Sequence, residues 1–234
     1  MHSESDPGRA AVIRQAVSVS IATGLYGISF GALSIVAGLS LAQTMVLSAF
    51  MFAGSSQFAF VGVIGAGGSV ASAIATSGLL GVRNGLYGVQ LGPLLGFTGW
   101  RRLLATLFTI DESTAVSTAQ STQTLRRVGF WWGGVGVYIC WNTLTFVGAL
   151  AGNAIGDPQT WGLDAAASAA FLGLLWPRLG RAAARVCAAL AVVIAIGLIP
   201  VAPAGVPVLG AAVAAIAVGI WEGRRAVPEE VPAS

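Results

Sequence analysis

Arg83 stands in the middle of Val70–Gly99, a stretch with no other charged residue. A charged side chain at mid-bilayer costs about 2.5–3.5 kcal/mol on insertion scales, so it normally faces a cavity or a partner. It lies ~13 residues from each end of the apolar run, or ~20 Å at helical rise, which makes snorkelling to either interface awkward. Gly81, Gly85 and Gly88 weaken a helix here, and Pro93 interrupts one further on. A broken third span is therefore expected, with the cation at its break. Half-helix termini beside a cation can hold a carboxylate, as in amino-acid transporters. The competing reading is a structural arginine tied to backbone carbonyls or to a carboxylate of another span.

Two adjacent acids, Asp111 and Glu112, follow an apolar run in 109-TIDESTA-115. Either could bind a proton or pair with Arg83. Thr109-x-x-Glu112 also has the form of a capping box, and acids favour a helix N-terminus in any case. The continuation, STAVSTAQSTQT, is polar enough for a water-facing helix. Asp164 follows the helix start at Asp157-Pro158 by about two turns, or ~10 Å. That depth suits an interfacial aspartate as well as a proton site. Gln57, preceded by Gly54, Ser55 and Ser56, sits mid-span, as do Asn84 and Asn142. Such groups serve substrate hydrogen bonding or interhelical packing.

Other chemistries lack their residues. His2, in the N-terminal tail, is the one histidine, so His-based metal sites and Ser-His triads are not available within the chain. There is no lysine, hence no Walker-type phosphate loop and no expectation of ATP-driven transport. No cofactor or metal is expected. Cys140 and Cys187 lie in apolar segments without CxxC spacing and read as packing residues.

The elements that must position these groups are membrane helices. The chain is 56% hydrophobic and 9% charged, with mean hydropathy +0.82, against a norm of about a quarter charged for soluble proteins. Gln15 to Val82 runs sixty-eight residues between one charge and the next, room for about three crossings of ~20 residues. The excess of arginine falls in short pairs at the ends of apolar runs, a cytoplasmic anchoring pattern rather than a nucleic-acid surface. The expected fold is an all-α, polytopic integral membrane helix bundle of seven or eight spans. Residues 1–15 form a cytoplasmic polar tail, 16–221 one transmembrane transport domain and 222–234 a polar C-terminal tail. The first apolar segment reads as a retained span, not a signal peptide.

Candidate spans are Ala16–Gly38, Ala42–Ala66, Val70–Leu95, Leu103–Gln120, Gly129–Ile155, Thr160–Trp176, Ala182–Ile199 and Val206–Trp221. Tryptophans other than Trp141 cluster near span ends, as in an interfacial belt. With eight crossings, every terminal arginine pair falls inside except Arg101/Arg102. With the fourth segment re-entrant or interfacial, seven crossings remain and one end changes sides. A weak internal repeat is also visible: 30-FGALSIVAGLSLA-42 and 146-FVGALAGNAIGDPQTWGLDAA-166 share Phe, Gly-Ala-Leu and a later Gly-Leu-x-x-Ala, a kind of symmetry common in secondary transporters.

Five segments in one order resemble the AzlC-type branched-chain amino-acid permeases, the large subunit of a two-component exporter. They are 24-GLYGISFGALSIVAGLS-40, 48-SAFMFAGSSQFAF-60, 83-RNGLYG-88, 109-TIDES-113 and 162-GLDAAASAAFLGLLWP-177. Three positions depart from the family pattern. Asn84 stands where a His commonly follows the arginine, Gly81 where an Asn precedes it, and Ala165 where a Phe follows Gly-Leu-Asp. If that His moves protons in relatives, Asp111 or Glu112 must do so here. The resemblance implies export of valine, leucine and isoleucine, with methionine a further candidate, driven by the proton gradient across a bacterial cytoplasmic membrane. It also implies a separate small hydrophobic AzlD-type subunit. In this reading Arg83 holds the substrate carboxylate. Gln57, Asn84 and Tyr87 assist it, and Asp111, Glu112 and Asp164 are proton-coupling candidates. A passive channel for another small solute and a non-transporting membrane scaffold are the alternatives.

Overall fold

A computed structural model describes residues 6–154, 172, 175–203 and 205–225. Among the described residues the chain forms nine α-helices. They are α1 (Asp6–Val36), α2 (Leu41–Phe50), α3 (Gly54–Gly65), α4 (Val70–Leu95), α5 (Gly99–Leu107), α6 (Asp111–Thr118), α7 (Gln123–Ala154), α8 (Ala182–Leu198) and α9 (Val206–Arg225), with a 3₁₀ turn at Trp176–Gly180 before α8. Three segments are long and apolar enough to cross a membrane on their own, Gly8–Val36, Gln123–Gly152 and Val206–Gly223. The 26 residues of α4 reach ~39 Å, enough to cross, although Arg83, Asn84 and Gln90 make it more polar.

The scaffold is the pair α1 and α7. Gly24 lies against Cys140, Gly27 against Trp141 and Thr145, and Gly152 against Ala32. Contacts climb both helices together, so the two run parallel. Gly31 and Gly148 open the Gly-Ala-Leu triplets of the internal repeat, and their contacts are reciprocal. A Cβ on Gly31 would collide with the carbonyl of Thr145, and one on Gly148 with the carbonyl of Ile28. Each glycine thus packs on the residue three before its counterpart. The repeat therefore has a packing meaning, the close helix approach that small residues permit in lipid. Its continuation beyond residue 154 lies outside the described residues.

The second and fourth expected spans are not single helices. Each is a helical hairpin that returns to the end of the bundle it left. After α1, α2 descends from Leu41, and α3 climbs back until Gly65 reaches Ala37, just past the end of α1. The turn, Met51–Ala53, is held by Gln57. Its Nε2 donates to the carbonyls of Leu47, Ser48 and Met51 at 3.3, 3.2 and 2.8 Å, supplying partners that a continuing helix would have provided. Phe52 at the tip is buried against Tyr138 and Phe108.

The second hairpin enters from the opposite end. α4 runs antiparallel to α1 and α7, because Arg127, in the first turns of α7, donates from Nε to the carbonyl of Leu95 at 2.7 Å. From there α5 rises to Phe108, and α6 descends so that Val116 packs on Val12 and Ala16 of α1. Its turn, Phe108–Ile110, is closed by Ser113 Oγ, which accepts from the Ile110 N–H at 3.1 Å and donates to the Phe108 carbonyl at 2.6 Å.

This topology corrects three expectations. The third span is continuous through Arg83, and Pro93 sits in its last turn, where a lost N–H and a bent axis cost least. The breaks lie in the second and fourth segments instead. Arg101 and Arg102, in the first turns of α5, join Arg9, Arg14, Arg126 and Arg127 at one end. α8 and α9 are antiparallel, with Arg181 Nη2 3.5 Å from Glu222. Their connecting Gly205 rests on Ser72 and Val63 at the other end. Arg181 and Glu222 thus lie at the end of α8–α9 away from Gly205, and Arg83 stands apart from the arginines at the end of the bundle where α4 meets α7.

Candidate functional site

The tips of the two hairpins meet at mid-depth, and Arg83 projects between them. Its Nη2 donates to Ser55 Oγ at 2.9 Å, on the first turn of α3. The same nitrogen lies 2.5 Å from Asp111 Oδ2, on the first turn of α6. Tyr87, one turn along α4, donates its hydroxyl to Asp111 Oδ1 at 2.6 Å, and the guanidinium lies 5.9 Å from its ring centroid. Asp111 thus carries two strong partners.

The competing reading of Arg83 is in part what the structure shows, since the guanidinium is paired with a carboxylate of another element. A cavity nonetheless reaches the pair. Its volume is about 670 Å³, inside the ~300–1,000 Å³ range of small-molecule sites. Arg83, Asn84, Asp111 and Glu112 line it, together with Thr23 and Tyr26 of α1. The side chains of Arg83 and Asp111 keep 28% and 34% of their surface exposed, so a solute can touch both. Phe52, Phe58, Ile110, Val137 and Trp141 make much of the remaining wall apolar.

Among the described residues, the buried Arg83 Nε and Trp141 Nε1 have no hydrogen-bond partner, and Trp141 retains only 4% of its surface. Ala53 precedes α3 and Ile110 precedes α6, and neither caps its helix with a side chain. Two helix N-termini therefore point their positive ends at the same region. The α6 terminus is matched by its own Asp111 and Glu112. The α3 terminus carries no acid.

Glu112 differs from its neighbour. The expected Thr109–Glu112 capping box does not form, because Thr109 Oγ1 instead donates back to the Ala105 carbonyl at 2.7 Å and Ser113 closes the turn. Glu112 faces the cavity, where Oε1 accepts a long bond of 3.4 Å from Thr23 Oγ1. Among the described residues, no arginine is bonded to it.

The remaining candidates are placed unevenly. Asn84 lines the cavity and also a smaller one of about 320 Å³ on the other side of the α2–α3 tip. Gln57 is fully buried and holds the hairpin turn; it does not line the main cavity. Asn142 Nδ2 donates within α7 to the Tyr138 carbonyl at 2.8 Å. Asp164 lies outside the described residues. Among the described residues, no three His, Cys, Asp or Glu side chains cluster as metal ligands. Sequence reasoning missed Thr23 and Trp141, which only the parallel packing of α1 on α7 brings to the site. The bond from Arg83 to Ser55 was foreshadowed only by the small polar run after Phe52.

An apolar helix bundle with paired half-helices and a charged cavity between them has features found in membrane transporters. The particular lineage follows from the chain itself: residues 18–155 match the family model described as AzlC protein. The chain belongs to the AzlC family, a family of branched-chain amino-acid transport. The matched region spans nearly all of α1 through α7 and so contains both hairpins and Arg83. No curated protein and no solved structure matches the chain.

Proposed function

We propose that the chain is the larger subunit of a proton-coupled exporter of valine, leucine and isoleucine, with methionine a weaker substrate, acting with a small AzlD-type membrane subunit. The observation that carries this reading is the polarity of the cavity. Arg83, whose side chain is partly exposed to the cavity, and the acid-free N-terminus of α3 make one pole suited to a carboxylate. Asp111 and Glu112 make the other. A zwitterion places one end at each, with its branched side chain against Phe52, Phe58 and Val137.

Gln57 serves indirectly in this scheme, keeping α3 pointed at the site, and Tyr87 steadies Asp111. Asp164 stays a proton-site candidate on its sequence position. An apolar wall separates side chains differing by a methylene by about 1–3 kcal/mol, so one chain handles the whole branched group.

Counterflow of radiolabelled valine in proteoliposomes, with and without the small subunit, tests the proposal. Saturable, proton-sensitive flux is expected. Hydrogen bonds to charged groups contribute about 1.5–3 kcal/mol each, so Arg83→Ala is expected to lower flux about 100-fold in protein that still assembles. Unchanged flux would remove the carboxylate role, and non-saturable flux would make the protein a channel.

A further inference from the structure

We infer that Glu112 is the binding site for the α-ammonium group of the substrate, and that it holds either that ammonium or one proton, never both. The inference rests on the transport reading above and divides the labour between two acids that sequence alone treats alike.

Asp111 is engaged by Arg83 at 2.5 Å and by Tyr87 at 2.6 Å. Glu112 lines the same cavity with a long bond from Thr23 at 3.4 Å and one from its own backbone N–H, and neither partner is charged. Among the described residues, the charged and titratable groups around the cavity are Asp111 from its own helix, Arg83 from α4 and Tyr26 from α1. α3, α7 and α9 contribute wall residues without titratable side chains, among them Ser55, Trp141 and Val208. Arg83 pairs with Asp111, which leaves the Glu112 carboxylate without a salt-bridge partner among the described residues. The ammonium of a substrate arriving from the cytoplasm supplies that partner, while its carboxylate turns to the exposed part of the Arg83 side chain.

Exchange follows from exclusivity. When the ammonium leaves outward, a proton from external water takes its place on the carboxylate. That proton passes to cytoplasmic water when the next ammonium binds. The ammonium keeps its own protons throughout, so each cycle moves one zwitterion out and one proton in. The cycle therefore carries one positive charge inward.

The test uses the full chain with its small subunit in proteoliposomes, with valine and the 2-hydroxy acid of the same carbon skeleton as probes. Wild type is expected to favour valine at least ~10-fold and to draw inward current with a proton-to-valine ratio of one. Glu112→Gln is expected to bring the two probes within about twofold and to flatten the pH profile. Glu112→Asp restores both preferences in part. A Glu112→Gln protein that keeps the valine preference, or a wild-type ratio other than one, overturns the inference. Absence of valine flux in wild type would instead refute the transport reading itself.

Discussion

The α2–α3 and α5–α6 hairpins have one geometry and opposite chemistry. Each breaks at mid-depth and starts its second helix without a side-chain cap, and each returns to the face it entered from. The first tip is neutral. Its polar groups, Gln57 and Ser55, are turned to holding the turn and to Arg83. The second tip places two carboxylates in the first turn of its helix. A neutral helix N-terminus has positive potential to offer a ligand, whereas one that bears acids has already used it. The difference gives the cavity a direction, with an anion-accepting wall on α3 and a cation-accepting wall on α6. Two identical hairpins would bind a symmetric or uncharged solute instead.

The comparison breaks most severely if the first hairpin loses its turn. Gln57→Leu removes the donor shared by three carbonyls and leaves that of Ser48 unsatisfied in an apolar core, while those of Leu47 and Met51 keep backbone donors. The expected cost is about 1–3 kcal/mol of stability per orphaned group, read as a lower melting temperature in detergent. Flux should fall for valine and for its hydroxy analogue by the same factor. A selective loss for one probe would mean that Gln57 contacts substrate, as its sequence position first suggested.

The second hairpin is sharpened by Asp111→Asn. If Asp111 occupies the guanidinium that the substrate carboxylate needs, weakening that pair releases Arg83 for substrate. About 1.5 kcal/mol is at stake for one hydrogen bond to a charged group, or ~10-fold in affinity. KM for valine is therefore expected to fall ~10-fold, with a slower maximal rate because release is slower too. A rise in KM would mean that the charge of Asp111 attracts the substrate ammonium more than it competes for Arg83.

The legibility of this site was uneven for physical reasons. Arg83 announces itself because a lone charge in thirty apolar residues has few explanations. The break was misplaced because glycines at 81, 85 and 88 carry a helix penalty of about 1 kcal/mol each in water. In a membrane the backbone has no better partner than its own helix, so α4 stays continuous. Met51–Ala53 has no proline and follows a plain apolar helix. What breaks it is the amide of Gln57, a contact six to ten residues away. The acids at 111 and 112 were visible as a pair, but their separation into one carboxylate held by Arg83 and Tyr87 and one beside Thr23 depends on residues from two other helices.

The finest distinction between the hairpins is the hydroxyl of Ser55. It accepts from Arg83 Nη2 at 2.9 Å and so ties the cation to the neutral tip while Asp111 ties it to the charged one. Ser55→Ala removes the weaker of the two tethers without adding bulk. A single hydrogen bond of this kind contributes about 0.5–1.5 kcal/mol net, so a two- to tenfold rise in valine KM is expected, with the maximal rate little changed. The direction matters more than the size. If Ser55 holds Arg83 in the pose the substrate carboxylate meets, KM rises. If KM falls as in Asp111→Asn, both tips restrain the cation against binding, and the anion-accepting wall reduces to the N–H groups of α3 alone.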